Sequence, residues 1–125
     1  MILIVDDERE LGALLEKVFR YFGHEAVSVR TGMEAISMIH LRKPDLIVTD
    51  LQMPVMDGLT LLRAIRADAT CNDVPVMVYT VDFAAEVERE AYAAGAQDFV
   101  VKGTIGWDAL MQRVGKLLKQ SGHQS

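Results

Sequence analysis

Cysteine, proline and aromatic residues are scarce: one Cys, three Pro and 6% aromatics in 125 residues. The lone thiol, Cys71, excludes an intramolecular disulfide. The fold must therefore rest on a hydrophobic core, and a reducing, cytoplasmic setting is the simplest reading. Cys71 lies in the polar stretch ADATCND and reads as a loop residue without chemistry. Basic charge is also in short supply. Thirteen Lys and Arg against 18 Asp and Glu give a net charge of −5, which argues against direct nucleic-acid binding, since that needs a clustered basic surface. Long apolar runs are missing as well. The run MILIV stops at Asp6, too short for a signal peptide, and nothing approaches the roughly 20 residues a bilayer requires, so no membrane partner is expected. Repeats and low-complexity tracts are absent.

What is present is a regular alternation of short apolar runs and helical stripes. ILIV (2–5), EAVSV (25–29), DLIVTD (45–50), VPVMVYT (74–80) and AQDFVVK (96–102) read as strands. Between them, Leu11, Leu14, Leu15, Val18, Phe19 and Phe22 form one helical stripe that Gly23 ends as a C-cap. Residues 31–40 form a second helix with Ile36 and Ile39 inward. Leu59, Leu62 and Ile65 mark a third, with Asp57 as its N-cap. Residues 84–95 form an Ala-rich fourth helix with a thin apolar face. Trp107, Leu110, Met111, Val114, Leu117 and Leu118 stripe the fifth. Apolar strands separated by helices predict a parallel sheet covered on both faces, and EAVSV, interrupted by polar residues, belongs near an edge. Such sheets place their working sites at the carboxyl ends of the strands.

The residues at those ends are acidic, hydroxyl or basic: Asp6 and Asp7, then Asp50, Thr80 and Lys102. Taken singly, each has an ordinary role. A strand-end Asp is usually a turn or cap residue, Thr favours strands, and a Lys is usually solvated. Together on one edge, three carboxylates would repel one another, which a divalent cation relieves. Oxygen donors of this kind suit Mg²⁺, and a lysine and a hydroxyl suit phosphoryl oxygens. The set suggests an aspartate that accepts a phosphoryl group. Met53 and Met56 read as packing, because thioethers do not suit Mg²⁺. Pro54 and Gly58 shape the loop. His24, His40 and His123 carry no ligand spacing and read as surface residues.

The segments ILIVDDE, PDLIVTDLQMPVMDG, VPVMVYT and DFVVK give the chain a resemblance, over nearly its whole length, to the receiver domains of two-component response regulators. The second segment is the most specific, because Asp, Met-Pro and Asp-Gly recur there at this spacing. The resemblance implies a flavodoxin-like (βα)5 three-layer α/β sandwich with a five-stranded parallel sheet in the order 2-1-3-4-5. A receiver domain would cover residues 1–120, with a tail or the start of a linker at 121–125. Asp50 is implied as phosphoacceptor, and Asp6, Asp7, Asp50 and the backbone carbonyl of Gln52 as ligands of Mg²⁺ or Mn²⁺. Thr80 and Lys102 would contact the phosphoryl group. Phe99 matches the switch aromatic, its ring rotating inward when Thr80 is drawn to the phosphate. The implied partners are a histidine kinase or histidine phosphotransfer protein and a downstream effector protein or domain, with a phosphorylation-dependent homodimer also compatible. Such a protein is a phosphoacceptor that assists its own phosphorylation and dephosphorylation, not a conventional enzyme.

Two positions depart from the pattern. The lysine is usually followed by a proline that helps aim it. Here Gly103 follows, which predicts a differently aimed Lys102. The residue after the threonine is usually small, and Val81 there predicts narrower access to Asp50 and slower exchange with small phosphodonors. Three other readings compete. A phosphohydrolase with an aspartate nucleophile would carry an acid two residues later, where Gln52 stands. A flavin-binding domain would need a hydroxyl- and glycine-rich loop in place of DDERE. The third is a phosphorylation-independent interaction module of the same shape.

Overall fold

The computed structural model describes residues 1–120; the expected tail at 121–125, and His123 with it, lies outside them. Strands and helices alternate along the chain: β1 (Ile2–Val5), α1 (Arg9–Tyr21), β2 (Ala26–Val29), α2 (Gly32–Leu41), β3 (Leu46–Thr49), α3 (Gly58–Ala67), β4 (Val76–Thr80), α4 (Ala85–Ala93), β5 (Asp98–Val101) and α5 (Trp107–Gln120). The sheet runs β2-β1-β3-β4-β5 with every neighbouring pair parallel. This is the expected flavodoxin-like order. Every residue of β1, β3 and β4 is buried, as central strands covered on both faces require. The edge strands β2 and β5 are buried only in part, which accounts for the polar residues in EAVSV.

Alternation along each strand sorts its side chains between two layers. Ile2, Ile4, Leu46, Val48, Met77, Tyr79 and Val100 pack with Leu15 and Phe19 of α1 and with Leu110 and Val114 of α5. Leu3, Val5, Ile47, Val76, Val78 and Phe99 face the other way, toward Ile39 of α2, Leu61, Leu62 and Ile65 of α3, and Ala91 of α4. The helix ends follow their sequence signals. Gly23 adopts φ +94° past α1. Its N–H donates to the Arg20 carbonyl while that of His24 donates to the Phe19 carbonyl, the paired bonds of a glycine C-cap. Asp57 caps α3 by accepting from the Thr60 N–H at 2.8 Å.

Three expectations need correction. Leu14 is 44% exposed: the covered side of α1 is set by Leu15 and Phe19, and Leu14 turns away from the sheet. Cys71 is not a loop bystander. Its turn folds under α3, Cys71 N–H bonding to the Asp68 carbonyl, so the thiol is buried in the core while Asn72 and Asp73 point out. His24, expected at the surface, is half-buried, whereas His40 is exposed as expected, its Nε2 2.9 Å from Asp68 Oδ2. Among the described residues no helix is long and apolar enough to cross a membrane.

Candidate functional site

The alternation continues past the strand ends. Asp6 follows Ile2 and Ile4, Asp50 follows Leu46 and Val48, and Lys102 follows Val100, so all three extend the face that α1 and α5 cover. Val5 pairs with Thr49, which sets Asp6 level with Asp50, and the Asp50 N–H donates to the Val5 carbonyl at 2.9 Å. Parallel pairing thus brings together acids that are far apart in sequence.

Asp6 is 3% exposed and Asp50 6%, while Asp7 is half-buried. One oxygen from each of the three lies within 4.8 Å of the others. Buried carboxylates need partners. Asp50 Oδ1 accepts from the N–H groups of Leu51 at 2.6 Å and Gln52 at 3.2 Å. Asp6 Oδ1 accepts from the Glu8 N–H at 2.9 Å. Lys102 Nζ donates to Oδ2 of Asp6 and of Asp50, at 2.8 Å each. Burial alone would push the Lys102 pKa down, but the bonds and charges of Asp50 and Asp6 outweigh it and hold it above the ordinary lysine value. The ammonium therefore stays charged and keeps two buried anions in register.

Lys102 corrects an expectation drawn from Gly103. The peptide before Gly103 is trans and Gly103 has φ +80°, yet Nζ reaches both acids. Its long stem spans the rim, and the carboxylates fix its end. The donor set is all oxygen, carboxylate and closely grouped, which fits a hard cation such as Mg²⁺. The Gln52 side chain is exposed, and its carboxamide offers no general acid.

Thr80 lies on the opposite face. It is fully buried, and its hydroxyl accepts from the Asp82 N–H at 3.4 Å. Phe99 pairs with Val78, so Thr80 is its diagonal neighbour on one face. The Phe99 ring is already buried, at 6% exposure. Val81 is 57% exposed, at the rim just past Thr80.

The loop after Asp50 is held tightly. A Cβ on Gly58 would lie 2.2 Å from the Asp50 carbonyl oxygen and 2.7 Å from Leu51 Cα, so only glycine lets α3 start this close to β3. Met53 is buried and Met56 packs on the core, as expected. Val55 sits at φ +69°, a costly conformation for a β-branched residue. Two features went unread in the sequence. The backbone donors of Leu51 and Gln52 leave no trace in residue type. Tyr79, whose ring centroid is 5.9 Å from Lys102 Nζ, was accessible from strand alternation, because Tyr79 shares the face of Asp50 and Lys102.

One family, the response regulator receiver domain, matches residues 2–115. The chain belongs to this family. Members of the receiver family are phosphoacceptors rather than enzymes that turn over a separate substrate. The transcriptional regulatory protein PrrA of Mycobacterium tuberculosis is 36% identical to the chain over 121 residues, 97% of the chain and 51% of PrrA. The receiver domain thus spans about half the length of these curated relatives. Among solved structures, the signal receiver domain of a signal transduction histidine kinase from Syntrophus aciditrophicus is 30% identical with a TM-score of 0.88. That match covers 99% of this chain and 93% of the other. The chemotaxis protein CheY4 of Vibrio cholerae is 25% identical with a TM-score of 0.86, covering 93% and 96%.

Proposed function

We propose that Asp50 is the phosphoacceptor of this receiver and that Asp6, Asp7, Asp50 and the Gln52 carbonyl hold Mg²⁺ or Mn²⁺. The observation that carries the reading is the pair of 2.8 Å bonds from Lys102 to Asp6 and Asp50 beside a third carboxylate. It is a poised cation among anions, at the sheet edge where such folds work. The phosphoryl donor is a phosphohistidine on a kinase or phosphotransfer protein. An Asp50 carboxylate oxygen attacks phosphorus, the P–N bond breaks, and its electron pair returns to the imidazole nitrogen, which takes up a proton. Held by Asp6, Asp7, Asp50 and the Gln52 carbonyl, a divalent cation would supply positive charge against the phosphoryl oxygens. Lys102 moves its ammonium from the carboxylates onto one of those oxygens, and the Leu51 and Gln52 N–H groups keep the carboxylate oriented. The Thr80 hydroxyl turns from Asp82 to donate to another oxygen.

The exposed α4–β5–α5 face is the proposed readout surface, for an effector protein or domain or for a second copy of the chain. Drawing Thr80 toward the phosphate frees space into which the neighbouring Phe99 ring can turn, and the response runs on through the Thr80 loop and α4. The same groups would speed both gain and loss of the phosphoryl group, in the cytoplasm where kinases of this type act. Incubation with a small phosphodonor and Mg²⁺, followed by intact mass, tests the assignment. An adduct of roughly 80 Da, one phosphoryl group on a carboxylate, is expected for the wild type and not for Asp50→Asn. An equal adduct on Asp50→Asn would move the acceptor elsewhere.

A further inference from the structure

Lys102 starts on the far side of β4 from its targets. It extends β5, whereas Asp50 extends β3 and Asp6 extends β1, so its side chain must cross β4 to reach them. The position it crosses is Tyr79. Val100 pairs with Tyr79, which makes Lys102 the diagonal neighbour of Tyr79 on the same face. Thr49 pairs with Val78, so Tyr79 stands level with Asp50 on the other side. Tyr79 is 6% exposed and embedded between α1, α5 and the sheet, so the ring has little freedom. The Lys102 ammonium lies 5.9 Å from its centroid, within range of an aromatic face for a cation.

The turn after Lys102 is tied back only to the Val101 carbonyl, through the Thr104 N–H and hydroxyl, and places no side chain against the lysine's path. Gly103 is exposed at φ +80° with nothing within 4 Å of a built Cβ, and Thr104 is exposed as well. We infer that Tyr79 is a positioning residue: its ring is the track along which Lys102 crosses β4 and is held toward Asp50, doing from beside the lysine what the residue after it does not. This role rests on the proposed use of Lys102 in phosphoryl transfer. A cation held over a fixed ring loses less when it leaves one carboxylate for a phosphoryl oxygen, because the ring attraction is kept throughout the move.

Two measurements test the inference. The first needs no phosphate. In metal-free protein, NMR of the Lys102 side chain is expected to show ring-current shifts of its terminal methylene protons. These shifts are kept in Tyr79→Phe and lost in Tyr79→Leu. The second is the rate of adduct formation from acetyl phosphate with Mg²⁺. Tyr79→Leu is expected to be about two- to fivefold slower, the range of one exposed to half-buried cation–π contact, and phenylalanine in place of leucine to restore the rate. In a Lys102→Met background the leucine change should add nothing, since its effect passes through the lysine. An unshifted Lys102 in the wild type, or a Tyr79→Leu rate equal to wild type, would overturn the inference. So would a full additive loss in the Lys102→Met background, which marks a merely structural tyrosine. If Tyr79→Leu does not fold, the wild-type and Tyr79→Phe spectra still decide. If the wild type takes no phosphoryl group, the functional reading fails while the ring-current result judges Tyr79 separately.

Discussion

Helices α3 and α4 both begin just past a strand that ends on a site residue, and they are seated in opposite ways. Behind Asp50, α3 is clamped. Gly58 presses against the Asp50 backbone and its N–H bonds to the Leu51 carbonyl at 2.9 Å. Asp57 caps the helix, and Gly58, Leu61, Leu62 and Ile65 are buried. Behind Thr80, α4 follows an N-cap, Ala84, that makes no side-chain cap, and Ala91 is its one buried residue. Phe83, just before it, is 83% exposed. The Asp50 carboxylate, the proposed acceptor, thus stands on a rigid mount and the Thr80 hydroxyl beside a loose one. A carboxylate that must meet an incoming phosphorus gains from fixed geometry. A switch needs an element whose alternative positions differ by a few kcal/mol, and few buried contacts provide that.

The largest effect is expected where the clamp is broken. Gly58→Ala should cost about 3 kcal/mol or more, since the new Cβ has no room beside backbone. Urea unfolding measures it, and a loss below about 1 kcal/mol would mean that α3 is free to shift and the contrast with α4 is overstated. Next, Asp57→Ala should cost about 1 kcal/mol near neutral pH. The Thr60 backbone N–H and hydroxyl hold the Asp57 carboxyl below its ordinary value. That stabilisation is present above the unfolded carboxyl pKa and is lost as pH falls through the folded one. The gap between wild type and variant should therefore shrink below about pH 4, and a gap that stays constant with pH would show that the cap works without its charge. Val55→Asn should gain about 1 kcal/mol, because asparagine tolerates the left-handed region that valine pays to occupy. Thermal melting would reveal no gain if the loop relaxes around valine. The smallest effect is on the loose side. Ala84→Ser gives α4 a capping hydroxyl where the backbone is already extended and should stabilise by about 0.5 kcal/mol. Hydrogen exchange of the first α4 amides should slow, and unchanged exchange would place the looseness in the poor burial of the helix instead.

Much of this was legible before any coordinates. The strands, their parallel pairing and the edge position of EAVSV followed from apolar runs without alternation. The caps at Gly23 and Asp57 followed from residue type. Leu14 and Cys71 misled because composition reports hydrophobicity or polarity of a segment, not which way a given side chain turns. The candidate site was legible as an inventory of Asp6, Asp7, Asp50, Thr80 and Lys102, since strand ends share one edge of a parallel sheet.

By itself, the sequence determined the layers of this protein and the set of charged groups on its rim, because hydrophobic period and the alternation of strands with helices are local properties summed along the chain. Only the tertiary structure decided that Lys102 bridges Asp6 and Asp50 despite Gly103, that Phe99 is buried beside Thr80 on one face, and that Tyr79 lies under the path of the lysine. Those facts depend on register and on packing between strands distant in sequence, and a side chain's direction there is fixed by neighbours that no local pattern names.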